Sequence, residues 1–149
     1  MFHIGTDDFY GIAKEILEKG NTFEFIAGGE SMSPFIKDGD KVVLQPPGSL
    51  NIGNIALCRT AEYRLILHRI VRVTGAGVIT RGDACFTDDG FTSFDYTIGK
   101  LVKVSGRGFN FHLRFPFSTL IARGAIRPSR VPRHTLLLSL VRRLTSFLG

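Results

Sequence analysis

A chain of 149 residues, 44% hydrophobic and holding 13 phenylalanines, suits one domain with a packed core and an appendage. Cys58 and Cys85 are too few for a disulfide framework and read as two buried thiols in a reducing compartment; no Cys/His cluster has metal-ligand spacing, so neither a metal nor another cofactor is expected. The net charge is +6 and unevenly spread, and no run reaches the ~18 apolar residues that span a bilayer.

The segment from Met1 to Gly20 carries Asp7, Asp8, Glu15 and Glu18, which excludes a secretory signal and leaves the cytoplasm as the expected location. Thr6 or Asp7 can cap a helix to about Lys19, closed by Gly20, with Phe9, Ile12, Ile16 and Leu17 as its apolar, packing face. Thr22 to Ala27 alternates like a strand, and Gly28-Gly29 breaks it. Lys41 to Leu44 is the next strand, ended by Gln45-Pro46-Pro47-Gly48. Asn54 to Thr60 and Tyr63 to Val73 follow, with Ala61-Glu62 as the turn between them. Gly75-Ala76-Gly77 leads into Val78-Ile79-Thr80, and Ile98 to Val104 and Phe109 to Phe115 supply two more strands. Many short strands joined by glycine turns predict a compact, mainly β domain over residues 1–115, with an N-terminal helix.

Past Phe115 the pattern changes. Pro116, Pro128 and Pro132 punctuate a linker, and Thr135 to Leu148 resumes helical spacing with Leu137, Leu140, Val141, Leu144 and Leu148 on one face. All 13 acidic residues lie at or before Asp95 against nine Lys and Arg, a net of −4; from Lys100 onward ten Lys and Arg meet no acid. Residues 116–149 therefore read as a basic linker and an amphipathic C-terminal helix. Three uses are open to that helix: a peripheral contact at the inner face of a membrane, packing on the domain, or a partner's groove.

The chemistry centres on Ser31. A serine hydroxyl is a poor nucleophile without a base in hydrogen-bond reach. Gly28-Gly29 frees the backbone ahead of it, and Pro34 stiffens the chain behind it. The plainer reading of the same residues is an ordinary Gly/Pro turn. His68 shares a strand face with Ile66 and Ile70 and is the side chain best suited to take a serine proton. Lys37 and Lys41 compete for that role but lie in what reads as a solvated turn. Asp83, Asp88 and Asp89 are the carboxylates available to orient the base.

Ser31-Met32-Ser33-Pro34, Gly39-Asp40, His68-Arg69-Ile70-Val71 and Gly82-Asp83 together resemble the blocks of type I signal peptidases and of the related clan of SOS-repressor autoproteases. The resemblance covers roughly residues 25–104. Histidine at position 68 matches the archaeal and endoplasmic-reticulum type, whereas the bacterial type has lysine. It implies a mainly β catalytic domain, a Ser31 nucleophile and a His68 general base. Asp89 matches the acidic member of the site and Asp83 the neighbouring Gly-Asp block, with Asp88 as the alternative register and Asp40 as a structural turn. Gly29, Met32 and Pro34 fall where the oxyanion and substrate are met. Gly29-Glu30-Ser31-Met32 departs from Ser-Gly-Ser-Met, which leaves oxyanion binding to backbone N–H groups, chiefly that of Ser31.

The implied function is a serine endopeptidase that cleaves a leader or signal-like peptide after a small residue, its partner a peptide or protein substrate with a leader segment. Two alternatives are a self-cleaving regulator and a non-catalytic peptide- or nucleic-acid-binding module on the same fold. The aromatic residues form no RNA-binding motif, which argues against nucleic acid.

Overall fold

A computed structural model describes residues 5–106 and 109–112. The mainly β expectation holds: among the described residues eight strands form a single antiparallel sheet, with one α-helix ahead of them. The expected C-terminal helix, and the part of the expected last strand after His112, lie outside the described residues.

The helix α1 is Thr6–Glu18. Its N-cap is Gly5, and no side chain bonds back to the exposed N–H groups, which corrects the expected cap by Thr6 or Asp7. Those residues are already helical, and Asp7 and Asp8 in the first turn face the positive end of the helix dipole. The buried stripe is Tyr10, Ala13 and Leu17. Ile12, expected on that face, is 45% exposed. Two contacts fix this rotation. Near the start, Phe9 stands edge-on to Phe23 and Phe25, with ring centroids 5.4 and 5.3 Å away. Near the end, Leu17 lies so close over Gly99 that a Cβ there would come within 2.9 Å of Leu17 Cδ1.

The strands are β1 (Phe23–Ile26), β2 (Lys41–Gln45), β3 (Ile55–Arg59), β4 (Leu65–Val73), β5 (Gly77–Arg81), β6 (Phe91–Ser93), β7 (Thr97–Gly106) and β8 (Phe109–His112). They run in the order β1-β2-β7-β3-β4-β5-β6, with β8 beside the far half of β7. The sequence gives no sign of β6 or of the 3₁₀ turn Phe94–Tyr96 after it, because Phe91 and Phe94 stay exposed and three residues carry no alternation. The turn before β4 is longer than Ala61-Glu62. Thr60 N–H donates to Arg64 O at 2.9 Å and Tyr63 takes a positive φ of 60°, so the strand begins at Leu65 and not at Tyr63.

Side-chain alternation gives the sheet two apolar faces. Ile55 and Leu57 of β3 join Leu17, Val42, Leu44 and Leu101 under α1, whereas Ala56 and Cys58 meet Ile70 and Val78 on the other side. Cys58 is fully buried and lies 3.8 Å from Thr97 Oγ1. Cys85 is only half-buried, which corrects half of the buried-thiol expectation. Burial pushes the Cys58 thiol from near 9 up to about 12. The unfolded chain loses that proton first, so stability is expected to fall as pH rises from about 9 toward 12. A Cys58→Ala protein followed by urea unfolding should show a weaker decline over that window.

Two strand edges matter for the site. β1 is an edge strand, bonded to β2 alone. The first half of β4 pairs with β3, but β5 joins β4 only from Arg69 onward. Both edges border the loop that carries Ser31.

Candidate active site

Three segments bring their polar groups together. Ser31 follows β1 in a turn-rich loop, His68 sits in β4 where β5 has not yet joined, and Asp89 lies in the loop between β5 and β6. His68 Nε2 is 2.9 Å from Ser31 Oγ, and His68 Nδ1 is 2.7 Å from Asp89 Oδ2. Asp89 is held from two sides. Thr80 Oγ1 donates to the same Oδ2 at 2.8 Å, and Asp89 N–H donates to Thr80 O at 2.8 Å. These groups lie on the Ile66–Ile70 face of β4, as alternation requires, and the His68 side chain is 9% exposed.

The tautomer follows from the partners. Asp89 accepts, so the His68 proton sits on Nδ1, and Nε2 is left to accept from the Ser31 hydroxyl. Of the three candidate bases, His68 is the one in contact with the serine. Lys41 pairs with Glu24 on the surface, and Lys37 is exposed.

The other two aspartates do different work. Asp83 grips Arg69 with two bonds, Nε to Oδ1 at 2.8 Å and Nη2 to Oδ2 at 2.7 Å, and contacts no part of His68. Arg69 Nη1 also donates to Gly53 O at 2.9 Å, and its guanidinium lies 5.3 Å from the centroid of the Phe35 ring in the serine loop. Asp88 stands 3.5 Å from Arg81 and is half exposed. Asp40 serves the turn: its Oδ2 accepts from Lys37 N–H at 2.8 Å.

Gly29 has a φ of +84°, and its N–H donates to Asp38 Oδ1 at 2.9 Å. Gly29 thus shapes the loop with its N–H already engaged. Met32 is buried and, with Ala27, Ile36, Leu65 and Leu67, lines a cavity of about 110 Å³ at Ser31 and His68. Pro34 is exposed and lies outside that lining.

Gly82 is the tightest point. A Cβ there would lie 2.7 Å from Ser31 O, 2.7 Å from Cys85 Sγ and 3.2 Å from His68 Nε2. Ser31 O also accepts from Ala84 N–H at 2.9 Å, so the loop after β5 is tied directly to the serine's backbone. Gly82→Ala is expected to push the serine loop away from His68 and to lower the kcat of any reaction that uses the Ser31 hydroxyl roughly 100-fold, because ~1 Å of misplacement costs about that much. Circular dichroism should stay native while turnover falls; unchanged turnover would contradict this geometry.

The sequence did not reveal Thr80, Arg69 or Asp38 as partners in the site. Thr80 left one usable sign, a hydroxyl on the inward face of a strand, where a buried polar group needs an acceptor.

The family described as Peptidase S24-like matches residues 2–80, more than half the chain. The chain belongs to the Peptidase S24-like family. As a Peptidase S24-like protein it is a relative of serine peptidases. The match includes Ser31, His68 and Thr80 and stops before Gly82, Asp83 and Asp89. No curated protein is significantly similar to the chain. Among the described residues of this Peptidase S24-like protein, no helix is long and apolar enough to cross a membrane.

Proposed function

We propose that the chain is a serine endopeptidase of the kind its type I signal peptidase resemblance suggests, cutting a leader or signal-like peptide. Ser31 is the nucleophile, His68 the general base and Asp89 the carboxylate that orients it. The observation that carries this reading is the unbroken run of contacts from Ser31 Oγ through His68 to Asp89 Oδ2, at 2.9 and 2.7 Å.

The steps follow from that run. Ser31 Oγ attacks the scissile carbonyl while its proton passes to His68 Nε2. Asp89 stabilises the imidazolium that forms, and Thr80 keeps the carboxylate aimed. The oxyanion is met by backbone N–H, chiefly that of Ser31, since Gly29 donates to Asp38. His68 then returns the proton to the leaving amine, and water attacks the acyl-enzyme by the same route in reverse. The small cavity beside Ser31 suits a short side chain on the acyl residue.

Incubation with a diverse peptide mixture, read by mass spectrometry, tests the proposal. Wild type should produce internal cuts that vanish in both Ser31→Ala and His68→Ala. Equal cutting by the Ser31→Ala protein would sink it. Salt-dependent nucleic-acid binding that survives Ser31→Ala, in a protein without peptidase activity, would favour the binding-module alternative instead.

A further inference from the structure

β5 blocks the strand edge that the first half of β4 leaves open. Before Arg69 that edge of β4 has no strand beside it, and from Arg69 onward β5 fills it. A peptide that adds to the open edge therefore runs into β5 at the level of His68 and Ser31. It has to leave the sheet there. The surface it leaves across is the loop between β5 and β6, residues 82–90.

That loop is fastened at both ends. Ala84 N–H donates to Ser31 O at 2.9 Å, Cys85 N–H to Gly82 O at 2.9 Å, and Asp89 N–H to Thr80 O at 2.8 Å. Between these ties stands Phe86, 75% exposed, the most exposed large apolar side chain among the described residues. A single exposed phenylalanine is ordinary on a protein surface. This one is set apart by its place, two residues from the N–H that bonds the carbonyl of Ser31. Cys85, beside it, is half-buried. The point where a Cβ on Gly82 would stand is 2.7 Å from Cys85 Sγ and 3.2 Å from His68 Nε2, so that sulfur and that nitrogen border one space.

The direction of the peptide follows from the proton. In the proposed mechanism His68 Nε2 hands its proton to the leaving nitrogen, so that nitrogen lies on the Gly82 and Cys85 side of the serine. The acyl residue is left with the cavity that Ala27, Met32, Leu65 and Leu67 line.

We infer that the half of the substrate released as the amine leaves the sheet at the scissile bond and crosses residues 84–87. Its first side chain lies against Cys85 and its second over the Phe86 ring. Phe86 is the specificity-determining residue of that half, and it takes an apolar or aromatic side chain at the second position after the cut. The inference rests on the peptidase reading. An acidic side chain at that position would lose water against the ring and meet, two residues on, the half-exposed carboxylate of Asp88, which makes acid the least favoured choice.

The test starts from a peptide that wild type cuts, with the cut located by mass spectrometry. Copies of it carry one cysteine, activated as a thiopyridyl disulfide, at each of the three positions before and the three after the cut. They are mixed with the full-length Ser31→Ala protein, which holds the peptide without cutting it. The Cys85 thiolate attacks the activated disulfide, forms the peptide–protein disulfide and expels thiopyridone, and intact mass reads the rate. Capture from the first or second position after the cut is expected to run about 10-fold faster than from any position before it, and to vanish in Cys85→Ser. The fully buried Cys58 is the internal control. In turnover by wild type, Phe or Leu at the second position after the cut should raise kcat/KM about 5- to 10-fold over Ala, with Asp lowest. Phe86→Ala, checked for folding by circular dichroism, should erase most of that ratio. Capture that is independent of position or favoured from before the cut, or a ratio that Phe86→Ala leaves intact, overturns the inference while the peptidase reading stands. No cut in any peptide overturns the peptidase reading and this inference with it.

Discussion

His68→Ala is expected to lower kcat/KM by roughly 10⁴- to 10⁶-fold while the protein stays folded. In the proposed mechanism that side chain takes the Ser31 proton and carries the charge that Asp89 stabilises, and no other described base touches the serine. Folding should survive because Asp89 is not orphaned. Thr80 Oγ1 still donates to its Oδ2, and Thr80 O still takes its N–H. Ser31→Ala should lose about as much, and the double variant no more than either alone, since the two residues act as one unit. Steady-state assays of the three variants check this. Additive losses would show that serine and histidine act separately.

Asp83→Ala is expected to fail in a different way, by costing about 3–5 kcal/mol of folding stability. Arg69 and Asp83 expose only 5% and 6% of their side chains, and they hold each other by two short bonds. Among the described residues, removing the carboxylate leaves a buried guanidinium with Gly53 O as its one remaining hydrogen-bond acceptor. The damage would reach the serine loop, because the same guanidinium faces the Phe35 ring. Urea titration should show a lower midpoint with an unchanged slope. Replacing both partners, Arg69→Met with Asp83→Leu, should recover much of the loss, since it is the unpaired charge that is costly. The pair between Arg59 and Asp7 is the contrast. Asp7 is 80% exposed, and breaking that pair should cost less than about 1 kcal/mol.

These two expectations separate aspartates that the sequence left together. Asp83, Asp88 and Asp89 stand within seven residues, and nothing local distinguishes a carboxylate that meets His68 from one that meets Arg69. The difference arises from strand register. Arg69 pairs with Arg81 across the β4–β5 ladder, and the loop that follows then carries Asp83 back to the guanidinium and Asp89 to Thr80 and His68. The contact between Ser31 and His68 was legible because a hydroxyl and a partner able to take its proton have few chemical substitutes, and each lay in a recognisable local setting. The mainly β class was legible for a similar reason, since Lys41–Gln45 and Leu65–Val73 carry their apolar and β-branched residues in plain view.

What stayed hidden depended on tertiary contact. The rotation of α1 is set by Phe9 on Phe23 and Phe25 and by Leu17 over Gly99, so the apolar count of the helix alone put Ile12 on the wrong side. The two free strand edges beside the serine loop are invisible in the sequence because nothing local tells a paired strand edge from an unpaired one. Gly82 stood out only as part of the Gly82-Asp83 block, yet its lack of a side chain is what lets the backbone pass close to both Ser31 and His68.

The central claim is that His68 activates Ser31. The most direct measurement is labelling of the intact protein with a serine-directed phosphonate, read by mass, in wild type, Ser31→Ala and His68→Ala. A single adduct on Ser31 in wild type, absent from both variants, is the predicted result. Labelling of His68→Ala at the wild-type rate, or an adduct on a serine other than Ser31, would contradict it.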